Sequence, residues 1–184
     1  MHKLNDPKEA VQTRRRWRIS VFFFGLLVML GVGLLVNRMT SPVLGHKNVR
    51  LFFASFGYSS LQPADREINR ELWRQDPLRA VVRALMDGPM NNDSLPVIPP
   101  SAKLNGCWLA GDIAWIDLSS ELFLGLAEEA DAELLAVYGL VHTVAANIPE
   151  VKKVQILIDG APRATLRGLT RISQALHPRK DLEN

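Results

Sequence analysis

Residues 19–36 run for eighteen positions without a charged side chain: Ile-Ser-Val-Phe-Phe-Phe-Gly-Leu-Leu-Val-Met-Leu-Gly-Val-Gly-Leu-Leu-Val. A helix of that length rises about 27 Å, close to the hydrocarbon thickness of a bilayer. A helix at the surface of a soluble core carries a polar stripe, and this run has none. Before it lies a basic head, residues 1–18, with Lys3, Lys8, Arg14, Arg15, Arg16 and Arg18 against only Asp6 and Glu9. Positive charge stays on the cytoplasmic side, so the pattern predicts a cytoplasmic amino terminus, a single transmembrane helix and an exported domain. Trp17 suits the membrane interface. The run exceeds the apolar core usual in a signal peptide, and Asn37-Arg38-Met39-Thr40-Ser41 lacks a small-x-small cleavage pattern. An uncleaved anchor in the cytoplasmic (inner) membrane is therefore favoured over a cleaved signal. Gly25, Gly31 and Gly33 do not fall four apart, so no helix-dimer motif is read from them.

This partition reassigns the charge. The formal +3 of the chain is more than covered by the head's surplus of four, which leaves the exported part near −1. A nucleic-acid partner loses its electrostatic basis. The single Cys107 excludes an intrachain disulfide and a cysteine metal cluster. The domain must hold together by an apolar core, which its length permits.

Residues 37–48 read as a linker broken by Ser41-Pro42 and Gly45. Residues 49–53 are rich in β-formers and predict a strand. Residues 61–68 predict a second, with Pro63 pushing it to a sheet edge. Asp76-Pro77 opens a helix as cap and first-turn proline, Leu78, Val81, Val82 and Leu85 give it one apolar face, and Gly88-Pro89 ends it. The loop over 91–100 offers Val97 and Ile98 as core plugs. Residues 104–109 and 113–118 flank Ala110-Gly111-Asp112 as a hairpin. Ser119 or Ser120 is placed to cap a short helical turn over 122–126.

The longest helix is expected over 129–147. Its stripe is Leu134, Tyr138, Val141, Ala145 and Ile148, widened by Val137, Leu140 and Val144. Glu128, Glu129, Asp131 and Glu133 complement the dipole at its start. Residues 151–158 predict a central, well-buried strand ending at Asp159-Gly160. A possible edge strand near 164–166 precedes a polar, frayed tail. The fold class is α+β: a transmembrane helix, then a two-layer β-β-α-β-β-α-β domain with helices on one face of one sheet. The layout is head 1–18, anchor 19–36, linker 37–48, domain 49–170 and tail 171–184.

The exported part resembles a GerM-type (GerMN) domain of bacterial sporulation and spore-germination proteins over roughly residues 47–170. The resemblance rests on ordered stretches: the strand at 49–53, Leu85-Met86-Asp87-Gly88-Pro89, Val97-Ile98-Pro99-Pro100 and Ile113-Ala114-Trp115-Ile116-Asp117-Leu118-Ser119. It continues with Leu135-Ala136-Val137-Tyr138-Gly139-Leu140-Val141-His142-Thr143, the stretch 151–160 and Thr165-Leu166-Arg167-Gly168. His142 stands where the family pattern more often has Asn, and one domain is present where some members carry two. The resemblance implies an envelope-associated binding or assembly module without enzymatic activity or cofactor. It marks Gly88, Pro89, Pro99, Asp117, Leu118, Ser119, Thr143 and Gly160 as motif positions of structural character.

Candidate chemistry is sparse. Asp117, with Ser119, Ser120 and Glu121, reads first as a strand end satisfying backbone donors and only second as a nucleophile beside a carboxylate. His142 lacks a second histidine at metal spacing and reads as a satisfied, partly buried histidine or a surface one before it reads as a base or ligand. Cys107 reads as a small core residue. Trp108 and Trp115, on opposite strands of the hairpin, are the candidate binding residues; they read first as cross-strand packing under a helix and second as an aromatic face for glycan. Arg163, Arg167, Arg171 and Arg179 read as a solvated edge before they read as a contact for acidic polymer. Expected partners are the membrane, envelope proteins or further copies of the chain, with peptidoglycan as the alternative. An envelope hydrolase ranks last, because no carboxylate pair can be nominated.

Overall fold

The computed structural model describes residues 27–32 and 45–183. Residues 27–32 are helical. The rest of the expected anchor lies outside the described residues, and among those described no helix is long and apolar enough to cross a membrane.

The chain from Leu44 onward forms one compact unit. It opens with β1 (His46–Ala54) and β2 (Leu61–Asn69), an antiparallel pair. Short α1 (Arg70–Gln75) and α2 (Pro77–Met86) follow. β3 (Leu104–Ala110) and β4 (Ile113–Leu118) form a hairpin. A four-residue turn, α3 (Leu122–Gly125), and long α4 (Ala132–Asn147) lead to β5 (Lys153–Ile158), which lies parallel to β4. A 3-10 turn spans Lys180–Leu182. The domain is α+β, but its five strands form two sheets, β1-β2 and β3-β4-β5, rather than one. α4 touches β1 in the first sheet and β5 in the second, and packs on α2 as well.

That position changes the expected face of α4. Instead of one stripe, Leu135, Ala136, Val137, Tyr138, Leu140, Val141 and Val144 are all buried, so every side of the helix is covered. Leu134 and Ala145, expected on the stripe, are only half-buried. A helix apolar all round is a core helix, and each fully buried Leu or Val here is worth about 1.5–3 kcal/mol. Gly139 sits at its closest crossing. A Cβ there would lie 2.9 Å from Val97 Cγ2 and 3.0 Å from the Phe52 carbonyl oxygen.

The local grammar of α2 is as the sequence predicts. Asp76 Oδ1 accepts the Arg79 N–H at 2.9 Å, Pro77 occupies the first turn, and Gly88 leaves with φ of 77°. Arg66 reaches across from β2 to the Ala84 and Gly88 carbonyls, closing the helix end. Burial lowers the pKa of its guanidinium. The unexpected α1 starts where the Asn69 side chain accepts the Glu71 N–H.

Three further expectations change. No side chain caps α3; Ser119 and Ser120 supply backbone carbonyls to Leu122 and Phe123 instead. β5 is buried but not central, since β4 holds the middle of its sheet. The tail is not frayed: Ile172 is fully buried, Leu176 exchanges backbone hydrogen bonds with Val154, and Glu183 bridges to Leu61.

Candidate functional surface

Alternation along β4 decides which face is free. Ala114, Ile116 and Leu118 are buried, whereas Ile113, Trp115 and Asp117 point to the opposite side. Trp108 faces Trp115 directly across the hairpin, and the rings stack at 6.0 Å and 6°. Trp108 remains 46% exposed. The pair is therefore on the outer face of the sheet, not packed beneath a helix. Trp108 is the more exposed of the two, Trp115 being half-buried.

The strand edges complete the surface. On β1, the Arg50 backbone N–H and C=O both bond to the Asn147 side chain, the Phe52 N–H donates to Thr143 Oγ1 at 3.0 Å, and Ala54 exchanges bonds with Leu95. α4 and the 91–100 loop thus close that edge. By alternation, Gln62, Ala64 and Arg66 of β2 bond to β1, which turns Pro63, Asp65 and Glu67 toward the free side. A proline and two carboxylates guard an edge against pairing. β5 is covered by Leu176.

β3 differs. Leu-Asn-Gly-Cys-Trp-Leu-Ala holds neither charge nor proline. The two-residue turn, with Gly111 at φ of 62°, makes Ala110 and Ile113 a bonded pair, so Leu109 and Cys107 turn their backbone groups outward. Among the described residues nothing bonds them. Leu109 is 49% exposed. A bulge at Asn105 blunts only the first end.

The polar candidates are otherwise engaged. Asp117 Oδ1 accepts the Gly160 N–H at 2.8 Å, and Gly160 itself turns at φ of 77°. Ser119 Oγ accepts the Lys103 N–H at 2.9 Å. His142, 2% exposed at its side chain, accepts the Arg179 N–H at Nε2 and meets Glu183 Oε1 at 2.6 Å through Nδ1. These groups do not converge on one cleft. Leu118 and Pro99 are buried, Pro89 is half-buried beside Gly88, and Thr143 is fully buried on its bond to Phe52. Cys107 is half-buried, and burial raises the pKa of its thiol. Arg163 lies over Phe123, Arg167 donates to the Leu126 and Ala127 carbonyls, Arg179 lies over Tyr138, and Arg171 is exposed. Among the described residues no group of three or more His, Cys, Asp or Glu side chains is placed to hold a metal.

Asp159, at φ of 50°, accepts from the Ser120 N–H and from Asn105. Its bonds from Ser120 come first in holding its carboxyl below the usual range, with Asn105 and Arg163 adding to them. A depressed folded value means that this carboxylate stabilises the turn above the ordinary carboxylate range and loses that contribution as pH falls through its lowered value. An NMR titration of the Ser120 amide is expected to show an acid midpoint below that of a free aspartate; a midpoint at or above it refutes the assignment.

Sequence reasoning missed a groove of about 850 Å³ between the end of β2, α1, α2 and the start of β3. Leu72, Arg79 and Arg83 line it together with Lys103. It also missed Glu133, whose buried carboxylate accepts the Leu166, Leu169 and Thr170 N–H groups.

Residues 50–164 match the family model Germane, described as sporulation and spore germination. The chain belongs to the Germane family. Solved structures agree on the Germane fold. The tandem GerMN domains of the sporulation protein GerM from Bacillus subtilis superpose with a TM-score of 0.59 at 15% identity, covering 77% of this chain. This chain spans 49% of that tandem, so about half of its length. A lipoprotein candidate from Clostridium perfringens gives a TM-score of 0.50 at 24% identity, covering 74% of this chain and 90% of its own. No curated protein sequence matches. Asp117, Ser119 and His142 each serve the fold through their hydrogen bonds rather than gathering at one site.

Proposed function

We propose that the protein is a protein-binding or assembly module of the bacterial envelope, linked to sporulation or germination. In this reading residues 1–18 are cytoplasmic, 19–36 cross the inner membrane once, 37–48 form a short linker, and the domain over 49–170, with the tail over 171–184, stands outside. The observation that carries it is the unguarded β3 edge beside half-exposed Trp108. Three of the four outer strand edges are closed or protected, and this one offers backbone donors and acceptors with apolar side chains. Such an edge recognises another polypeptide strand.

A second reading, binding to peptidoglycan, is favoured by the half-exposed indole of Trp108, an aromatic surface on which a sugar ring can stack. Crosslinking of the full-length protein in its own cells, with mass spectrometric identification, separates the two. Protein adducts mapping to β3 and the hairpin support the first reading. Wall fragments alone, with no protein adduct, overturn it and make Trp108 and Trp115 the residues to replace next.

A further inference from the structure

We infer that the partner of β3 is β3 of a second copy, paired antiparallel about a two-fold axis so that two three-stranded sheets join into one of six. The inference rests on the protein-binding reading above and names its partner. An antiparallel pairing of a strand with itself is isologous: each copy offers the same donors and acceptors to the other. Leu109 and Cys107 present both a free N–H and a free C=O, and a two-fold near Cys107 or Trp108 brings these groups face to face. The strand itself carries no charge, and the side chains of α2 and its cap whose charges reach Cys107 are of both signs, Asp76 against Arg79 and Arg83.

Charge appears only at the ends, and there it complements. Lys103 precedes the strand and Asp112 lies in its turn. Antiparallel overlap about either residue puts Lys103 of each copy next to the Gly111-Asp112-Ile113 turn of the other. Lys103 is available for this, being 74% exposed at its side chain and only loosely paired with Glu121 at 3.8 Å. The Trp108 indoles then lie on one continuous outer face of the joined sheet.

Cys107 reports on the pairing because it is the chain's one cysteine. In either register the two thiol-bearing residues are opposite or diagonal, about 5–8 Å apart. The experiment treats cells expressing the full-length protein with a short bis-maleimide at mildly alkaline pH. A covalent homodimer is expected, lost in Leu109→Lys and kept in Glu67→Lys, which alters the guarded β2 edge. If Leu109→Lys fails to fold by circular dichroism, Ala110→Lys, also on the exposed end of β3, takes its place. A dimer that survives in a folded β3 variant overturns the inference, as does wild-type protein that is modified only as a monomer. In the monomer case, adducts to a different protein through Cys107 leave the protein-binding reading standing. The absence of protein adducts in both this and the preceding experiment removes that reading as well.

Discussion

Replacing Glu133 by alanine is expected to lower the unfolding free energy by about 3–5 kcal/mol, read as a shift in the urea midpoint of the purified protein. Its carboxylate is 2% exposed and accepts from Leu166, Leu169 and Thr170, with distances of 3.2, 3.1 and 2.8 Å. Each buried N–H left without an acceptor costs about 1–3 kcal/mol. Water entering beside the shortened side chain recovers part of that, so the loss falls below the full sum. Glu133→Gln keeps one carbonyl acceptor and is expected to lose roughly half as much. A loss under about 1 kcal/mol for the alanine variant would mean that the 166–170 loop does not depend on this carboxylate.

The second large effect is at Gly139. Gly139→Ala introduces a methyl group 2.9 Å from Val97 Cγ2 and 3.0 Å from the Phe52 carbonyl oxygen. Overpacking of this kind costs about 1–3 kcal/mol. The valine can rotate, but the Phe52 carbonyl belongs to β1, whose next residue turns back to β2 and whose amide is tied to Thr143. Combining Gly139→Ala with Val97→Ala separates the two contacts. A less-than-additive loss assigns the strain to the valine, and an additive loss assigns it to the strand backbone.

Much of this architecture is visible in local spelling. Asp76-Pro77 and Gly88 delimit α2 because capping and positive φ are properties of single residues and their immediate neighbours. Gly111-Asp112 gives the hairpin, and once its register is known Trp108 must face Trp115. What stays hidden depends on partners far along the chain. An apolar helix reads as a stripe if one sheet is assumed to cover it, and only the second sheet explains why the sides of α4 away from that stripe are apolar too. Glu133 has the spelling of a dipole-complementing acid at a helix start; that its carboxylate turns inward follows from a loop more than thirty residues later. Asn147 likewise resembles an ordinary helix end, and nothing nearby shows that it serves the β1 backbone. The β3 edge is legible only in retrospect: its lack of charge is in the sequence, but its place at the margin of a sheet is a matter of strand order.

The closure of β1 by α4 also sets a sequence of events in time. Arg50 and Phe52 find their hydrogen-bonding partners at Asn147 and Thr143, 97 and 91 residues later. A chain emerging amino terminus first can zip β1 to β2 early, yet must leave the other side of β1 and its buried phenylalanines open until α4 arrives. Contacts of such long range make folding slow and all-or-none. An expected consequence is that truncations ending before Asn147 yield no partly stable half-domain, but an exposed strand seeking any available neighbour.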